Sequence, residues 1–202
     1  LSLYNDGIYS SEMRSFNIKK DNSKSNYADF VSNLSPEEEI LLYLVDETNN
    51  YISLCSMCDK YTKIAEHYNR PATAYTTIEG VNMIVPKYKL SLTNRKKELT
   101  FKVQKSENGM PGRTLYTESV PLVDIFGTGS VTSWDFFPFQ FSETIDVRGP
   151  FFITIEFPEV EYGQYNHLTF GTSEMRGYDN CTLFFYNDNN ISGISNGWHK
   201  AS

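Results

Sequence analysis

Three cysteines and three histidines are the side chains of this chain with the widest chemical repertoire. Cys55 and Cys58 have the CxxC spacing of a redox centre or of half a zinc site, and Cys181 stands alone. No second CxxC and no HxxxH motif follows to complete a set of four tetrahedral ligands. A redox CxxC is typical of a strand-to-helix step, whereas strand-like residues flank this one. We therefore expect structural or incidental cysteines.

Catalytic groupings are equally incomplete. A nucleophilic cysteine would need one of the histidines as its base, and no local signature of a thiol hydrolase surrounds any cysteine. Glu156, Glu159 and Glu161 could supply a pair of carboxylates for glycoside hydrolysis, but acidic residues are common on any solvated loop. The sequence therefore predicts a protein that is not an enzyme.

Oxygen-bearing side chains follow two of the strand-like runs. Asp46 ends one run, and Asp188 lies in an Asn-Asp-Asn-Asn segment after another. Carboxylate and amide oxygens are the ligands that Ca²⁺ prefers, although neither segment has the spacing of an EF-hand loop. Asp46 and Asp188 are thus the candidate metal ligands, for a structural calcium ion.

Aromatic residues in polar, loop-like stretches indicate saccharide binding, because flat Tyr and Trp rings can stack on sugar rings. Amide and carboxylate groups beside them would bond the sugar hydroxyls. The candidate ligand-binding residues are Tyr162, Tyr165, Asn166, Tyr178 and Asp179. Trp134 and Trp198 fall in strand-like runs instead, and we expect both in the core.

Charge and hydropathy exclude two classes of partner. The formal net charge is −7, and no basic stripe is present that could neutralise phosphates, so we expect no nucleic-acid binding. No run approaches the roughly 18 apolar residues that a membrane helix needs, so we expect no membrane insertion. The densest basic run, Arg95-Lys96-Lys97, is predicted to be a solvated turn.

The elements that must position any site are predicted to be strands. Of the 202 residues 15% are aromatic, and apolar runs of strand length recur from Ile40 onward, separated by turn residues. No ten-residue segment has a helical apolar period. We predict an all-β fold, an antiparallel β-sandwich, with residues 1–36 as an irregular N-terminal segment or linker and residues 37–202 as the sandwich domain.

Individual runs lead to more specific predictions. Leu99, Phe101 and Val103 alternate with polar residues, as in a half-buried strand. A further strand is predicted at residues 90–92. The segment 108–112, Asn-Gly-Met-Pro-Gly, must turn, because we expect positive φ at its two glycines. Pro138 lies inside an apolar run and marks an edge strand or a bulge.

Several of these pieces follow one another in a particular order and spacing. They are residues 61–66, 77–81, 99–103, 108–116, 134–141 and 147–153, and the NGxPGxxLY segment at residues 108–116 is the most specific. In these pieces the chain resembles the cleaved-adhesin modules of secreted bacterial surface proteins of the gingipain haemagglutinin type. The resemblance covers roughly half of the chain. Cys55, Cys58 and residues 1–36 depart from the pattern.

The resemblance implies a jelly-roll-like sandwich on a secreted or cell-surface bacterial protein. It also implies a non-catalytic binding or adhesion module that contacts a host protein or glycan, with structural calcium as its cofactor. The alternative is an accessory domain of a secreted peptidase or other hydrolase, with a catalytic domain elsewhere in a longer protein. A peptidase signature in the full reading frame would favour the alternative.

Overall fold

The structure, a computed structural model, describes ten stretches of the chain. They are residues 40–41, 43–45, 51–53, 62–85, 87–128, 135–159, 167–169, 172–173, 182–188 and 194–200. All of them belong to the compact unit Ile40–Ser202. The predicted irregular segment, residues 1–36, lies outside the described residues.

Strands dominate the described residues. They are β1 (Ile40–Leu41), β2 (Tyr43–Val45), β3 (Tyr51–Ser53), β4 (Lys63–Tyr68), β5 (Tyr75–Val85), β6 (Lys87–Lys89), β7 (Glu98–Glu107), β8 (Met110–Pro121), β9 (Asp135–Arg148), β10 (Phe151–Glu156), β11 (His167–Thr169), β12 (Thr172–Ser173), β13 (Leu183–Asn187) and β14 (Gly197–Lys200). Two short helical elements accompany them, the 3-10 turn η1 (Asn94–Lys96) and the helix α1 (Leu122–Phe126).

Six strands form the main sheet, in the order β14-β13-β4-β10-β7-β8, and every pair in it is antiparallel. The two longest remaining strands, β5 and β9, pair with each other and form what we call the second layer. Three further two-stranded pairs are β6 with β11, β1 with β12, and β2 with β3. The all-β, antiparallel prediction is confirmed.

The core lies between the main sheet and the second layer. Leu99, Phe101 and Val103 of β7 are fully buried, as their alternation predicts. The Phe101 ring stacks on Phe139 of β9 with 4.7 Å between centroids, and it meets Phe141 edge-on at 6.1 Å. These contacts make the fold a β-sandwich. Some pairs join strands that are distant in the sequence, as in β4 with β10 and β5 with β9, and others, such as β7 with β8, join consecutive strands.

Strand β10 is buried on both of its faces. Phe151, Ile153 and Ile155 belong to the core between the layers. Phe152 points to the opposite face and is also fully buried. There its ring stacks on His67 at 4.4 Å. A strand covered on both faces needs apolar residues at consecutive positions, which explains the adjacent Phe151, Phe152 and Ile153 of this strand.

A two-residue turn joins β7 to β8. Asn108 and Gly109 have φ of 54° and 76°, which suits a tight hairpin and confirms the predicted turn. The expectation of a positive φ at Gly112 was wrong, because this residue lies inside β8. Gly112 is needed for space instead, since a Cβ there would come within 2.4 Å of the Glu107 side chain.

The predicted strand at residues 90–92 was also wrong. The strand, β6, ends at Lys89, and Leu92 is 78% exposed in the turn that follows. Leu90 is buried without being in a strand, and its carbonyl accepts a bond from Arg95 Nε at 3.1 Å. The turn predicted around Arg95 is confirmed by η1, whereas α1 was not predicted at all.

The second layer contains a bulge. The register between β5 and β9 shifts between Ile78 and Gly80, where one residue of β5, Glu79, lies opposite four residues of β9, 141–144, so that the extra residues are on β9. Pro138, opposite Asn82, lies in β9, whose one partner among the described strands is β5. An edge position is what the missing N–H of proline requires, so the prediction for Pro138 is confirmed.

Gly80 is the residue on which this bulge depends. A Cβ at Gly80 would lie 2.2 Å from the Phe139 carbonyl oxygen, which belongs to the backbone and has no room to move. We expect Gly80→Ala to lower the free energy of unfolding by about 2–3 kcal/mol. Gly112→Ala is the matched control, because only the flexible Glu107 side chain must move there. Urea denaturation checks this, and equal losses in the two variants would contradict it.

Candidate functional site

Most of the site residues predicted from the sequence lie outside the described residues. They are Tyr162, Tyr165, Asn166, Tyr178, Asp179 and Asp46, and the three cysteines lie outside as well. The saccharide site in those loops therefore stays a prediction, as does a pairing of cysteine with histidine. Asp188 is described, and it is exposed directly after the end of β13.

The residue before Asp188 has a structural role. Asn187 is fully buried, and its side-chain amide donates to the carbonyl oxygens of Ile194 at 2.8 Å and Ser195 at 3.2 Å. It thereby holds the residues that precede β14 against the end of β13. In the described part of the chain no three His, Cys, Asp or Glu side chains are grouped so that they could hold a metal ion. The calcium site at Asp46 and Asp188 stays a prediction.

The main sheet offers a different candidate site on the face that points away from the second layer. One row of directly paired residues crosses all six strands of this sheet, and we call it the cross-strand row. Its members, from β14 to β8, are Trp198, Tyr186, Lys63, Glu156, Thr100 and Ser119. With about 4.8 Å between neighbouring strands, the row is about 24 Å long.

The aromatic end of the row is formed by Trp198 and Tyr186. Their rings meet edge-on with 5.3 Å between centroids, and both residues are half-buried. Trp198 also packs against the buried cluster that contains Phe152 and Phe184. The sequence predicts Trp198 as a core residue, but the structure buries it only in part. One region of its surface therefore stays open to solvent.

Charged groups occupy the centre of the row. The Nζ atoms of Lys63 and Lys102 lie 2.9 Å and 2.7 Å from the same oxygen, Glu156 Oε1. Lys102 lies on β7 two residues from Thr100, the row's member in that strand, and reaches Glu156 diagonally. Lys63 Nζ also lies 5.0 Å from the centroid of the Tyr186 ring, a cation–π contact. Aromatic and charged groups are thus in direct contact.

The electrostatics of the centre favour an ionised carboxylate. Burial raises the pKa of Glu156, but the hydrogen bonds and charges of Lys102 and Lys63 lower it more. The net result is a pKa below the ordinary value of 4.5. The side chains of Lys63, Lys102 and Glu156 remain 33%, 24% and 22% exposed. A solvent-borne ligand can therefore reach all three.

Hydroxyl groups form the other end, above a buried polar network. Thr100 Oγ1 and Ser119 Oγ lie 2.8 Å apart. Two residues before Glu156 on β10, the fully buried Thr154 donates its hydroxyl proton to Gln104 Oε1 at 2.6 Å. The Gln104 amide in turn donates to the Gly112 carbonyl at 2.9 Å. These bonds hold the strands beneath the row in one register.

The row offers several kinds of group that can contact a ligand. Stacking surfaces, ammonium donors, a carboxylate acceptor and hydroxyls follow one another along one line. None of the six residues is a cysteine or a histidine. Their positions range from 63 to 198, so only the strand register brings them together. Sequence spacing contains no signal for such a set.

The chain matches no protein-family model, no curated protein and no solved structure. The resemblance to cleaved-adhesin modules therefore stays a prediction. In the stretches of chain that the structure describes, none of the helices has the length and apolar character needed to cross a membrane.

The lowered pKa of Glu156 makes stability depend on pH. Such a carboxylate stabilises the fold fully above its unfolded-state pKa of about 4.5, and the contribution is lost as pH falls through the lower folded-state pKa. We expect the difference in unfolding free energy between the native chain and Glu156→Gln to be greatest above pH 4.5 and to shrink below it. Urea denaturation at a series of pH values measures this difference.

The double variant Lys63→Met, Lys102→Met is the control for this pH dependence. Without the two lysines only the effect of burial remains, and burial raises the pKa of Glu156. In this double variant, Glu156 should no longer cause the unfolding free energy to fall as the pH is lowered below 4.5. The role given to the lysines would be contradicted if the native chain and Glu156→Gln differed in unfolding free energy by the same amount at every acid pH.

Proposed function

We propose that this chain is a non-catalytic binding module of an exported bacterial protein, and that it contacts saccharides on a host surface through the cross-strand row. The row itself is the observation that carries the proposal. It combines half-buried aromatic rings with polar donors and acceptors on one line about 24 Å long. A secreted or cell-surface location is part of the same proposal.

The aromatic end supports saccharide stacking. Trp198 and Tyr186 meet edge-on, so the two rings lie at an angle of 77° to each other and present different edges and faces to solvent. A sugar ring is apolar on its C–H faces and polar at its rim. It can therefore contact an aromatic ring while its hydroxyls bond Lys63 and Glu156, the next residues along the row.

The rigidity of the sheet supports affinity. Every member of the row lies on a strand of the main sheet, and β10 beneath its centre is buried on both faces. The ion pairs and the Thr154–Gln104 network hold these side chains before any ligand arrives. A preordered surface loses less conformational entropy on binding, so more of the contact energy contributes to affinity.

A saccharide suits this surface better than a host protein does. Stable protein interfaces have a desolvated apolar centre within a polar rim. The large apolar side chains exposed in the described residues are scattered over separate elements, and none of them belongs to the row; they are Tyr75, Leu92, Met110 and Ile194. The row offers two aromatic rings and is otherwise polar.

Glycan arrays followed by fluorescence titration test the proposal. We expect the chain to bind a subset of glycans, and Trp198→Ala and Tyr186→Ala each to lower the affinity at least about tenfold, or about 1.4 kcal/mol. Tyr75→Ala is the matched control, because Tyr75 is 74% exposed on β5 in the second layer. It should leave the affinity unchanged.

Two results would contradict the proposal. One is binding to no glycan on the array, and the other is glycan binding that Trp198→Ala and Tyr186→Ala leave intact. Because Trp198 packs on the Phe152 cluster, the denaturation midpoint of each variant is measured beside its affinity. Tyr186→Phe serves as a second variant that keeps the ring, and it should retain stacking. Binding of a host glycoprotein that survives removal of its glycans would indicate a protein partner instead.

A further inference from the structure

The charge at the centre of the row, where Lys102 joins Lys63 and Glu156, is opposite in sign to the charge of the chain. There Lys63 and Lys102 lie against the single carboxylate of Glu156, an excess of one positive charge. The chain as a whole carries −7. A second carboxylate, Glu98, is exposed at the margin of this surface, at the first position of β7. The excess positive charge lies beside the aromatic end of the row, since Lys63 Nζ also contacts the Tyr186 ring.

Both lysines are placed to receive an anionic group. Lys63 and Lys102 both contact the same oxygen of Glu156, and the three side chains remain partly exposed. An ammonium group has three N–H donors, and the bond to Glu156 uses one of them. The two ammonium groups therefore have donors left for a second oxyanion that approaches from solvent.

Resting on the saccharide proposal above, we propose that the ligand is an acidic saccharide, one that carries carboxylate or sulfate groups on its rings. The acidic group would bind between Lys63 and Lys102, and the sugar ring would stack on Tyr186 or Trp198. Tyr186 and Lys63 are directly paired neighbours, about 4.8 Å apart across β13 and β4. A ring and its own acidic substituent match that separation.

Charge complementarity makes the preference specific. A neutral saccharide would stack equally well on the aromatic end but would bring no anion to the two lysines, which share the one carboxylate of Glu156. An acidic peptide would satisfy the lysines but would have no ring to place on Tyr186 and Trp198. An acidic saccharide alone uses both halves of the surface. Its binding should weaken as salt screens the lysines.

The test compares ligands that differ in charge or in whether they contain sugar rings. A galacturonate hexasaccharide, its methyl ester, a sulfated hexasaccharide and a hexaglutamate peptide are titrated against the full chain by calorimetry at two salt concentrations. We expect one or both acidic saccharides to bind at least about tenfold more tightly than the ester and the peptide, with an affinity that falls as salt increases.

Charge variants then locate the site. Lys63→Met and Lys102→Met should each lower the affinity for the acidic saccharide at least about tenfold, whereas Lys63→Arg and Lys102→Arg should retain most of it. Glu156→Gln should raise this affinity severalfold, because the lysines no longer share a carboxylate. Lys96→Met is the matched control, since Lys96 is an exposed lysine in η1, and it should change nothing.

The outcomes separate this inference from the saccharide proposal. Equal binding of the acid and its methyl ester, lost in Trp198→Ala, would overturn the acidic ligand and support a saccharide module. Equal binding of hexaglutamate would overturn the saccharide as the ligand class. A decrease in affinity in Glu156→Gln, with an unchanged denaturation midpoint, would overturn the competition between Glu156 and the ligand. The acidic ligand would also be overturned if the chain bound a neutral glycan on the array but none of the four probes.

Discussion

The burial of β10 on both faces is the constraint around which this sandwich is built. Five consecutive residues, Phe151–Ile155, are buried, so this strand must lie at the centre of a sheet with material on each side. Its neighbours β4 and β7 take their register from it, and β13 and β8 follow from them. The cross-strand row exists because this central strand aligns five others.

Along β10 the buried residues end before Glu156, and the row is therefore polar at its centre. Thr154 is still fully buried, yet Glu156, two residues later on the same face, is partly exposed. Within that short distance the face changes from apolar packing around Phe152 to an ion-paired and hydroxylated surface. The polar residues of the row therefore lie directly beside the cluster that supports them, and a rigid apolar base holds side chains that would otherwise be mobile.

Local patterns in the sequence were sufficient for much of the fold. Alternation in β7 and the Asn-Gly turn each depend on residues close together in the chain, and both predictions are confirmed. The misplaced strand at residues 90–92 shows where this reasoning fails. Leu90 is buried because of its tertiary neighbours, and an apolar residue after a strand cannot be told from one inside it by periodicity. Helix α1 was missed because five residues are too few for a helical period.

The sequence predicted much less of the candidate site than of the fold. Sequence reasoning assigned ligand binding to loop tyrosines and assigned Trp198 to the core, because a tryptophan in a strand-like run is usually buried. What decides its exposure is the position of β14 at the end of the main sheet, and strand order is a non-local property. The pairing of Lys63 with Glu156 is equally non-local, since 93 positions separate them and β10 must first align with β4.

Strand β14 also makes one end of the row easier to open than the rest. It is four residues long and pairs, among the described strands, with β13 alone, so it is the part of the main sheet that opens at least cost in free energy. Trp198 leaves the row whenever β14 detaches, while Lys63 and Glu156 stay in place on interior strands. A ligand held by Trp198 must therefore oppose this local opening, and slower amide hydrogen exchange in β14 would accompany its binding.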